Sequence, residues 1–408
     1  MAEKLNINQI RKDFPILDQQ VNGSPLVYFD NAATTQKPHV VIDALNRYYT
    51  QDNANIHRGL HTLAERATTG YELTRSKLKD FLHAPSTDQI IFTSGTTAGI
   101  NLVAQTFGRA NFSKGDVILV SNLEHHSNIV PWQMIAQETG AEVQVIPVDE
   151  VGVLDMAAYQ SLLTDRVKLV AVNHVSNAIG TINPIKYMIE LAHQVGAKIL
   201  IDGAQSVAHF DIDVQDLDMD FLVFSAHKLF GPTGVGVLYG KRELLESMPP
   251  YQGGGEMIKE VSFSGTTYNE LPYKFEAGTP NIADVYAFGF ALDYLKSLPK
   301  NAVWEQEKEL LDYATEQLGQ IDGLQIVGQA PEKIAVVSFV IDGVHPQDIG
   351  VLLDKFGVAI RTGHHCAQPL MARYELVGTC RASFAFYNTK EEIDLFVKAL
   401  KRCLMMLS

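Results

Sequence analysis

The sequence predicts an α/β fold that is divided into more than one domain. Short apolar runs typical of buried strands alternate with helical patterns through the first two-thirds of the chain, which is typical of a mostly parallel sheet covered by helices. The 408 residues exceed what one ordinary compact domain holds. Because 46% of the residues are hydrophobic and 20% are charged, the chain has ample material for a core.

Six strands of the predicted sheet stand out as apolar runs. Helical patterns lie between most of them, for example over residues 131–139 and 185–195. The link between the fifth and sixth runs is too short for a crossover helix, so the sixth strand is a candidate for antiparallel pairing. The runs cover residues 89–93, 117–120, 169–172, 198–201, 221–224 and 235–239.

Charge and composition exclude several classes of protein. The net charge is −14 at pH 7 and no dense basic stripe is present, which argues against nucleic-acid binding. The first residues lead into a polar, mixed-charge segment instead of a signal peptide, and no apolar run approaches the length of a membrane span. Three cysteines do not make a disulfide framework. We therefore expect a cytoplasmic protein without a nucleic-acid or membrane partner.

The three cysteines differ in their predicted surroundings. Cys403 lies beside the apolar stripe of a C-terminal helix, and Cys380 lies on the apolar face of a strand whose other face carries Arg381. Both thiols are predicted to be buried and inert. Cys366 instead lies in a polar, histidine-rich loop over residues 361–369, where an accessible thiol beside imidazoles is a candidate nucleophile.

The two histidines beside Cys366 also raise the hypothesis of a metal site. A structural zinc site usually needs four convergent ligands. No second Cys/His cluster of suitable spacing appears in the sequence. No metal site is therefore predicted.

The most informative pair of residues is a lysine and an aspartate at the ends of two strands. Asp202 follows the run 198–201, and Lys228 follows the run 221–224 within the sequence Ser-Ala-His-Lys. A lysine amine can form a Schiff base with an aldehyde, and a carboxylate can keep a pyridine nitrogen protonated. Strand ends are rich in both residue types, so the pair alone is weak evidence for a functional site. The loops around it decide the interpretation. With those loops, it indicates a pyridoxal-phosphate enzyme.

Polar loops follow five successive strands of the predicted sheet. Ligands of open α/β sheets bind beyond the carboxyl ends of the strands, which is where these loops lie. The first loop, over residues 94–101, is a small-residue turn that opens a helix and suits a phosphate group. Residues 124–128 and 173–177 follow the next two strands with histidines and asparagines. One such loop is weak evidence, but five in succession predict a site.

The chain order and the residue sequences of these motifs resemble those of the class V aminotransferase superfamily of fold-type-I pyridoxal-phosphate-dependent transferases. Within it, the chain resembles the group II (SufS-type) cysteine desulfurases over nearly its whole length. The segment 361–366 is the most specific, because it marks the short cysteine loop of group II. Ser94 and Ala98 depart from the pattern, because many relatives are expected to carry Arg and Glu around this turn. A charge interaction between subunits at this turn is therefore not supported in this chain. The matching segments are 28–35, 57–59, 95–97, 123–126, 202–205, 225–228, 275–280 and 361–366.

The resemblance implies a domain division and an assembly. A large cofactor domain with a mostly parallel seven-stranded sheet would cover residues 21–285, and residues 1–20 and 286–408 would form a smaller α+β domain. A helical pattern over 283–296 and strand patterns at 325–327 and 335–340 favour a new sheet after that boundary. A homodimer is implied, in which Thr279 and the loop at His57 and Arg58 would complete the neighbouring subunit's site.

The resemblance also implies a role for each site residue. Lys228 would hold the cofactor and move a proton, Asp202 would pair with the pyridine nitrogen, and Gln205 would bond the ring oxygen. His125 would stack on the ring and shuttle a proton. The phosphate would be held by Thr96, Thr97, Ser225, His227 and a second subunit's Thr279, and the substrate carboxylate by Arg381, assisted by Asn31 and Asn177.

The resemblance implies that Cys366 attacks the sulfur of L-cysteine as a thiolate, which leaves alanine and a persulfide. An acceptor protein of the SufE or SufU type would then take the sulfur for iron–sulfur cluster assembly. A selenocysteine lyase uses the same machinery, so L-selenocysteine stays an alternative substrate. A non-catalytic sulfur carrier or assembly scaffold is a distant alternative, against which the intact Lys228, Asp202 and Arg381 count. An ordinary aminotransferase would have no task for Cys366.

Overall fold

A seven-stranded sheet forms the centre of the structure, a computed structural model that describes residues 5–407. The strands lie side by side in the order β1-β7-β6-β5-β4-β2-β3. Their bounds in chain order are β1 (Ile90–Thr93), β2 (Val117–Ser121), β3 (Glu142–Ile146), β4 (Val167–Asn173), β5 (Lys198–Asp202), β6 (Phe221–Ser225) and β7 (Gly236–Gly240).

Strand direction in this sheet follows the prediction. β7 pairs antiparallel with both β1 and β6, and all other neighbouring pairs are parallel. Few residues separate β6 from β7, so the chain turns back beside β6 instead of crossing over the sheet. The mostly parallel seven-stranded sheet and the antiparallel strand are thus confirmed. β3 was missing from the six apolar runs because it is an edge strand that leaves Glu142 and Val145 exposed.

Helices cover the two faces of this sheet, and other helices pack against a second sheet in the C-terminal third. Alternation along β1 sends Ile90 and Phe92 into the core of one face and Ile91 into the core of the other. The helices are Ile7–Ile10, His39–Arg47, Thr62–Phe81, Thr96–Val103, Arg109–Asn111, Val130–Thr139, Met156–Leu162, Ile185–Gln194, Arg242–Ser247, Ile282–Ser297, Lys300–Leu318, Pro346–Asp354, Gln368–Arg373 and Lys390–Leu407. Each helix within residues 5–407 is too short or too polar to cross a membrane.

A second, antiparallel sheet follows in the C-terminal third. It consists of β8 (Leu324–Val327), β9 (Val336–Ile341), β10 (Arg361–Gly363) and β11 (Thr379–Ser383), in the order β8-β9-β11-β10. Its core includes Cys380 and Cys403, both fully buried, as their apolar surroundings predict. Three further strand pairs are Gln20–Val21 with Ser24–Pro25, Val27–Tyr28 with Val358–Ala359, and Ile258–Ser262 with Gly265–Tyr268.

The N-terminal segment packs near the end of β6. Phe14 is fully buried against Phe230, Phe386 and Tyr387, and its ring lies 4.6 Å from that of Tyr387. Residues 1–4 and 408 lie outside the described residues. The domain boundaries, with 21–285 in one domain and 1–20 plus 286–408 in the other, stay a prediction.

Candidate active site

A cavity of about 310 Å³ lies beyond the carboxyl ends of the parallel strands. Loops that follow β1, β2, β4, β5 and β6 line one side, and β11 and the cysteine loop after β10 line the other. Asn31 and Thr279 are the only predicted site residues outside its wall. Those in the wall are Thr96, Thr97, His125, Asn177, Asp202, Gln205, Ser225, His227, Lys228, Cys366 and Arg381.

One end of the cavity is built from a tight turn and a helix N-terminus. The helix Thr96–Val103 begins directly after Gly95, whose φ of 150° favours glycine. Thr96 donates its backbone N–H to Ser225 Oγ at 2.8 Å, and the two hydroxyl oxygens lie 2.7 Å apart. Gly236 of β7 lies beneath this turn, and a Cβ there would come within 2.4 Å of Gly95 Cα. The free N–H groups of the first helical turn and the two hydroxyls suit a phosphate group.

The half-buried Lys228 and the buried Asp202 line the same cavity, and their charges interact. Burial lowers the pKa of Lys228 to about 8, although Asp202 opposes the shift. Burial also raises the pKa of Asp202, while a hydrogen bond from Ala204 N at 2.9 Å and the charge of Lys228 oppose that shift. A lysine with a lowered pKa has a larger neutral fraction, and the neutral amine is the nucleophilic form.

His125 lies on the loop after β2 as a neutral imidazole. Burial, followed by the charge of Lys228, lowers its pKa to about 4. Its Nδ1 accepts a hydrogen bond from Ser127 N at 3.0 Å, so the proton of the neutral ring lies on Nε2. The ring is thus held by its own loop, with one N–H to offer.

Arg381 is a buried guanidinium in the cavity wall with spare hydrogen-bonding capacity. Its side chain is 2% exposed; Nη1 donates to Asn177 O at 2.7 Å, and Nη2 to Asp30 Oδ1 at 3.3 Å. Its buried Nε has no hydrogen-bond partner among the described residues. A buried donor without a partner costs free energy, so this guanidinium suits an anionic ligand such as a carboxylate.

Arg361 also lines this wall and pairs with Asp30, although neither was predicted as a site residue. Arg361 holds Asp30 with two guanidinium nitrogens, at 3.0 and 2.7 Å, so that Asp30 touches both Arg361 and Arg381. Both residues stood within the matching segments 28–35 and 361–366. Their meeting joins positions far apart in sequence, so no local pattern could reveal it.

The loop that carries Cys366 has a strained backbone and is held from both sides. His365 and Cys366 have φ angles of 52° and 54°, which residues with a Cβ rarely adopt in succession. Asn177 Nδ2 donates to His365 O, and His126 N donates to Cys366 O, each at 2.7 Å. These contacts fix an exposed thiol at the mouth of the cavity.

Two predicted residues, Asn31 and Thr279, lie outside the cavity wall. Asn31 donates its amide to Ser383 O at 2.8 Å and to Asn388 Oδ1 at 3.1 Å, outside the cavity. Thr279 is exposed and lies outside the cavity of its own chain. Contact of Asn31 with the substrate and of Thr279 with a phosphate stay predictions.

His126 contributes a ring beside Cys366 that the sequence did not indicate. A ligand atom from each of His126, His364 and Cys366 lies within 4.8 Å of the other two. The sequence pattern showed only the histidines next to Cys366. The third group comes from the loop after β2, more than two hundred residues earlier.

Comparison with known proteins assigns the chain to a family. Residues 27–396 match the class-V aminotransferase family. The chain therefore belongs to the class-V aminotransferase family. Within it, the chain is 54% identical over 401 residues to the cysteine desulfurase of Synechococcus elongatus, covering 98% of this chain and 64% of that protein. It is 50% identical over 399 residues to a probable cysteine desulfurase of Halalkalibacterium halodurans, covering 98% of each. The crystal structure of the cysteine desulfurase CsdA from Escherichia coli matches with a TM-score of 0.92 at 42% identity, covering 99% of this chain and all of that one.

Pyridoxal phosphate, the cofactor that this fold implies, fits the residues that line the cavity. The amine of Lys228 and the buried carboxylate of Asp202 line the same cavity. A helix N-terminus with two hydroxyls forms one end, and a neutral imidazole lines the wall. These are donors for an aldehyde, a pyridine nitrogen, a phosphate and a ring face.

Proposed function

We propose that this protein is a pyridoxal-phosphate-dependent cysteine desulfurase. It converts L-cysteine to L-alanine and keeps the sulfur as a persulfide on Cys366. The observation that carries the proposal is the convergence of Lys228, Asp202, Arg381 and the exposed Cys366 thiol on one cavity. The whole-chain similarity to cysteine desulfurases supports it.

The cofactor would be held at both of its ends. When bound, pyridoxal phosphate supplies an electron sink for bond changes at the substrate's carbon atoms. Lys228 Nζ would carry it covalently, and Asp202 would face the pyridine nitrogen. His125 would lie against the ring. The phosphate would contact Thr96, Thr97, Ser225 and His227, and Gln205 would reach the ring oxygen.

Arg381 would bind the carboxylate of the amino-acid substrate. Its unpartnered Nε and its Nη groups form a planar fork that matches a carboxylate. Asn177 would assist by fixing two groups. Its backbone carbonyl accepts from Arg381, and its side-chain amide donates to His365 O in the cysteine loop. A substrate held in this way presents its side chain toward the mouth of the cavity, where Cys366 lies.

Cys366 would accept the sulfur. Its thiolate forms a bond to the substrate sulfur while the bond between that sulfur and Cβ breaks, and the electron pair stays with the carbon, which takes up a proton as alanine forms. The Lys228 amine, with its pKa near 8, would carry a proton to and from the substrate's Cα. His125 would offer its Nε2–H as a hydrogen-bond donor to the reacting groups.

The exposed thiol would pass its sulfur to a protein acceptor of the SufE or SufU type, which would supply iron–sulfur cluster assembly.

We further propose a homodimer, because Thr279 is exposed and lies outside its own cavity. Three free thiols favour a cytoplasmic location. L-selenocysteine stays the alternative substrate.

The test is incubation of the purified protein with L-cysteine. Alanine and sulfide should appear in equal amounts in the presence of a reductant, and alanine release should accelerate with a suitable acceptor protein. Lys228→Ala should release neither product. A folded protein with bound cofactor that releases no alanine would refute the proposal and favour a non-catalytic scaffold.

A further inference from the structure

The Cys366 loop meets the loop after β2 in a cluster of three metal-binding side chains. His364 and Cys366 come from the first loop, and His126 comes from the second. One nitrogen or sulfur atom from each lies within 4.8 Å of the other two. The ring centroids of His126 and His364 are 5.5 Å apart.

Hydrogen bonds between the two loops build this cluster. His126 N donates to Cys366 O at 2.7 Å, and Gln368 N donates to His126 Nε2 at 3.1 Å. Within the loop, Cys366 N donates to His364 Nδ1 at 3.1 Å. The rings are therefore directed by backbone atoms on both sides and are not isolated surface side chains.

The ligand set selects the kind of metal. One thiolate with two imidazoles suits zinc, whereas magnesium and calcium prefer oxygen ligands. Zinc bonds of about 2.3 Å to sulfur and about 2.0 Å to nitrogen place tetrahedral ligand atoms roughly 3.3–3.6 Å apart. The 4.8 Å limit of the cluster is larger by about 1.2–1.5 Å, which side-chain rotations can close.

Hydrogen-bond donors to the two histidines and the charge of Arg361 affect metal binding at this cluster. Gln368 N now donates to His126 Nε2 and Cys366 N to His364 Nδ1, so a metal bound through either nitrogen displaces that donor. Both of these donors belong to exposed residues, so water can replace the histidines as their acceptor. The cationic Arg361 in the same cavity wall opposes a second cation, and the thiolate offsets it. Binding releases the proton of the thiol.

We propose that Cys366, His126 and His364 bind one zinc ion, with the fourth position open to water. Three protein ligands with one open position make an exchangeable site and not a structural one. On the function proposed above, zinc would hold the Cys366 sulfur and withhold it from the substrate. The site would then be a reversible block on sulfur transfer.

Metal binding is measured directly on the cofactor-loaded protein. Zinc is titrated by calorimetry, and cobalt(II) serves as the spectroscopic probe, with its tetrahedral ligand-field bands read to the red of the cofactor absorption. We expect one metal ion per chain, cobalt bands that chelator removes, and loss of those bands in Cys366→Ser. His126→Gln and His364→Gln should each weaken binding roughly tenfold or more. His39→Gln is the matched control, because His39 is exposed and belongs neither to the cavity wall nor to the three-residue cluster, and it should bind as the parent does.

Absence of tetrahedral cobalt bands would overturn the proposal. So would binding that is unchanged in both histidine variants, because the metal would then be held by the thiol without them. The cofactor absorption of each variant reports that the site is intact. Alanine release from L-cysteine is measured separately without metal, so a failure of the desulfurase proposal and a failure of the zinc site give different results.

Discussion

Replacing Arg381 by lysine should sharply weaken the use of L-cysteine. The guanidinium is 2% exposed, gives Nη1 to Asn177 and Nη2 to Asp30, and keeps Nε without a partner. Lysine carries one point charge and cannot hold both protein partners and a bidentate carboxylate. Loss of one hydrogen bond to a charged group costs about 1.5–3 kcal/mol. This corresponds to a fall of roughly 10- to 150-fold in kcat/KM.

The assay is alanine production over a range of L-cysteine concentrations. We expect the fall mainly as a raised KM, because the carboxylate contact exists before and during the reaction. Arg373→Lys is the matched control, since Arg373 pairs with Glu150 on the surface, at 2.7 Å, and lies outside the cavity wall. An unchanged KM in Arg381→Lys, with cofactor bound, would place the carboxylate site elsewhere.

Three further predictions concern the buried charges. Borohydride reduction should fix the cofactor to Lys228, and peptide mapping that finds it on another lysine would refute the assignment. Asp202→Asn should keep the cofactor, as judged by absorption, but slow alanine release severely, because an amide cannot keep the pyridine nitrogen protonated; parent turnover would contradict this role. Arg75 is 1% exposed and bidentate to Glu276, so Arg75→Ala should lower the free energy of unfolding by about 3–5 kcal/mol in urea denaturation. A loss under about 1 kcal/mol would show that the pair is not stabilising.

Features set by local pattern were predictable from the sequence. The short link before β7 predicted its antiparallel direction, and alternation along the strand around Arg381 predicted both a buried Cys380 and a polar Arg381 on opposite faces. Periodicity likewise predicted that Cys403 is buried in the C-terminal helix. β3 escaped because an edge strand with one exposed face lacks a continuous apolar run.

Contacts between distant segments were not predictable from the sequence. Nothing near Asp30 indicates that it meets Arg361 and Arg381, and nothing near His126 indicates that it meets Cys366. Asn177 was predicted to assist at the substrate carboxylate, yet its amide holds the carbonyl of His365. Such pairings depend on how the individual loops pack against one another at the edge of the sheet, which periodicity does not encode.

Transfer of sulfur to Cys366 is the central claim, and peptide mass analysis after reaction with L-cysteine tests it most directly. The peptide that contains Cys366 should gain one sulfur atom as alanine is released, and the peptides of the buried Cys380 and Cys403 should not. Cys366→Ala should release no alanine from L-cysteine but should keep some activity on L-selenocysteine, whose bond from carbon to selenium is weaker. Desulfuration of L-cysteine by Cys366→Ala at the parent rate, or added sulfur on another cysteine, would contradict the mechanism.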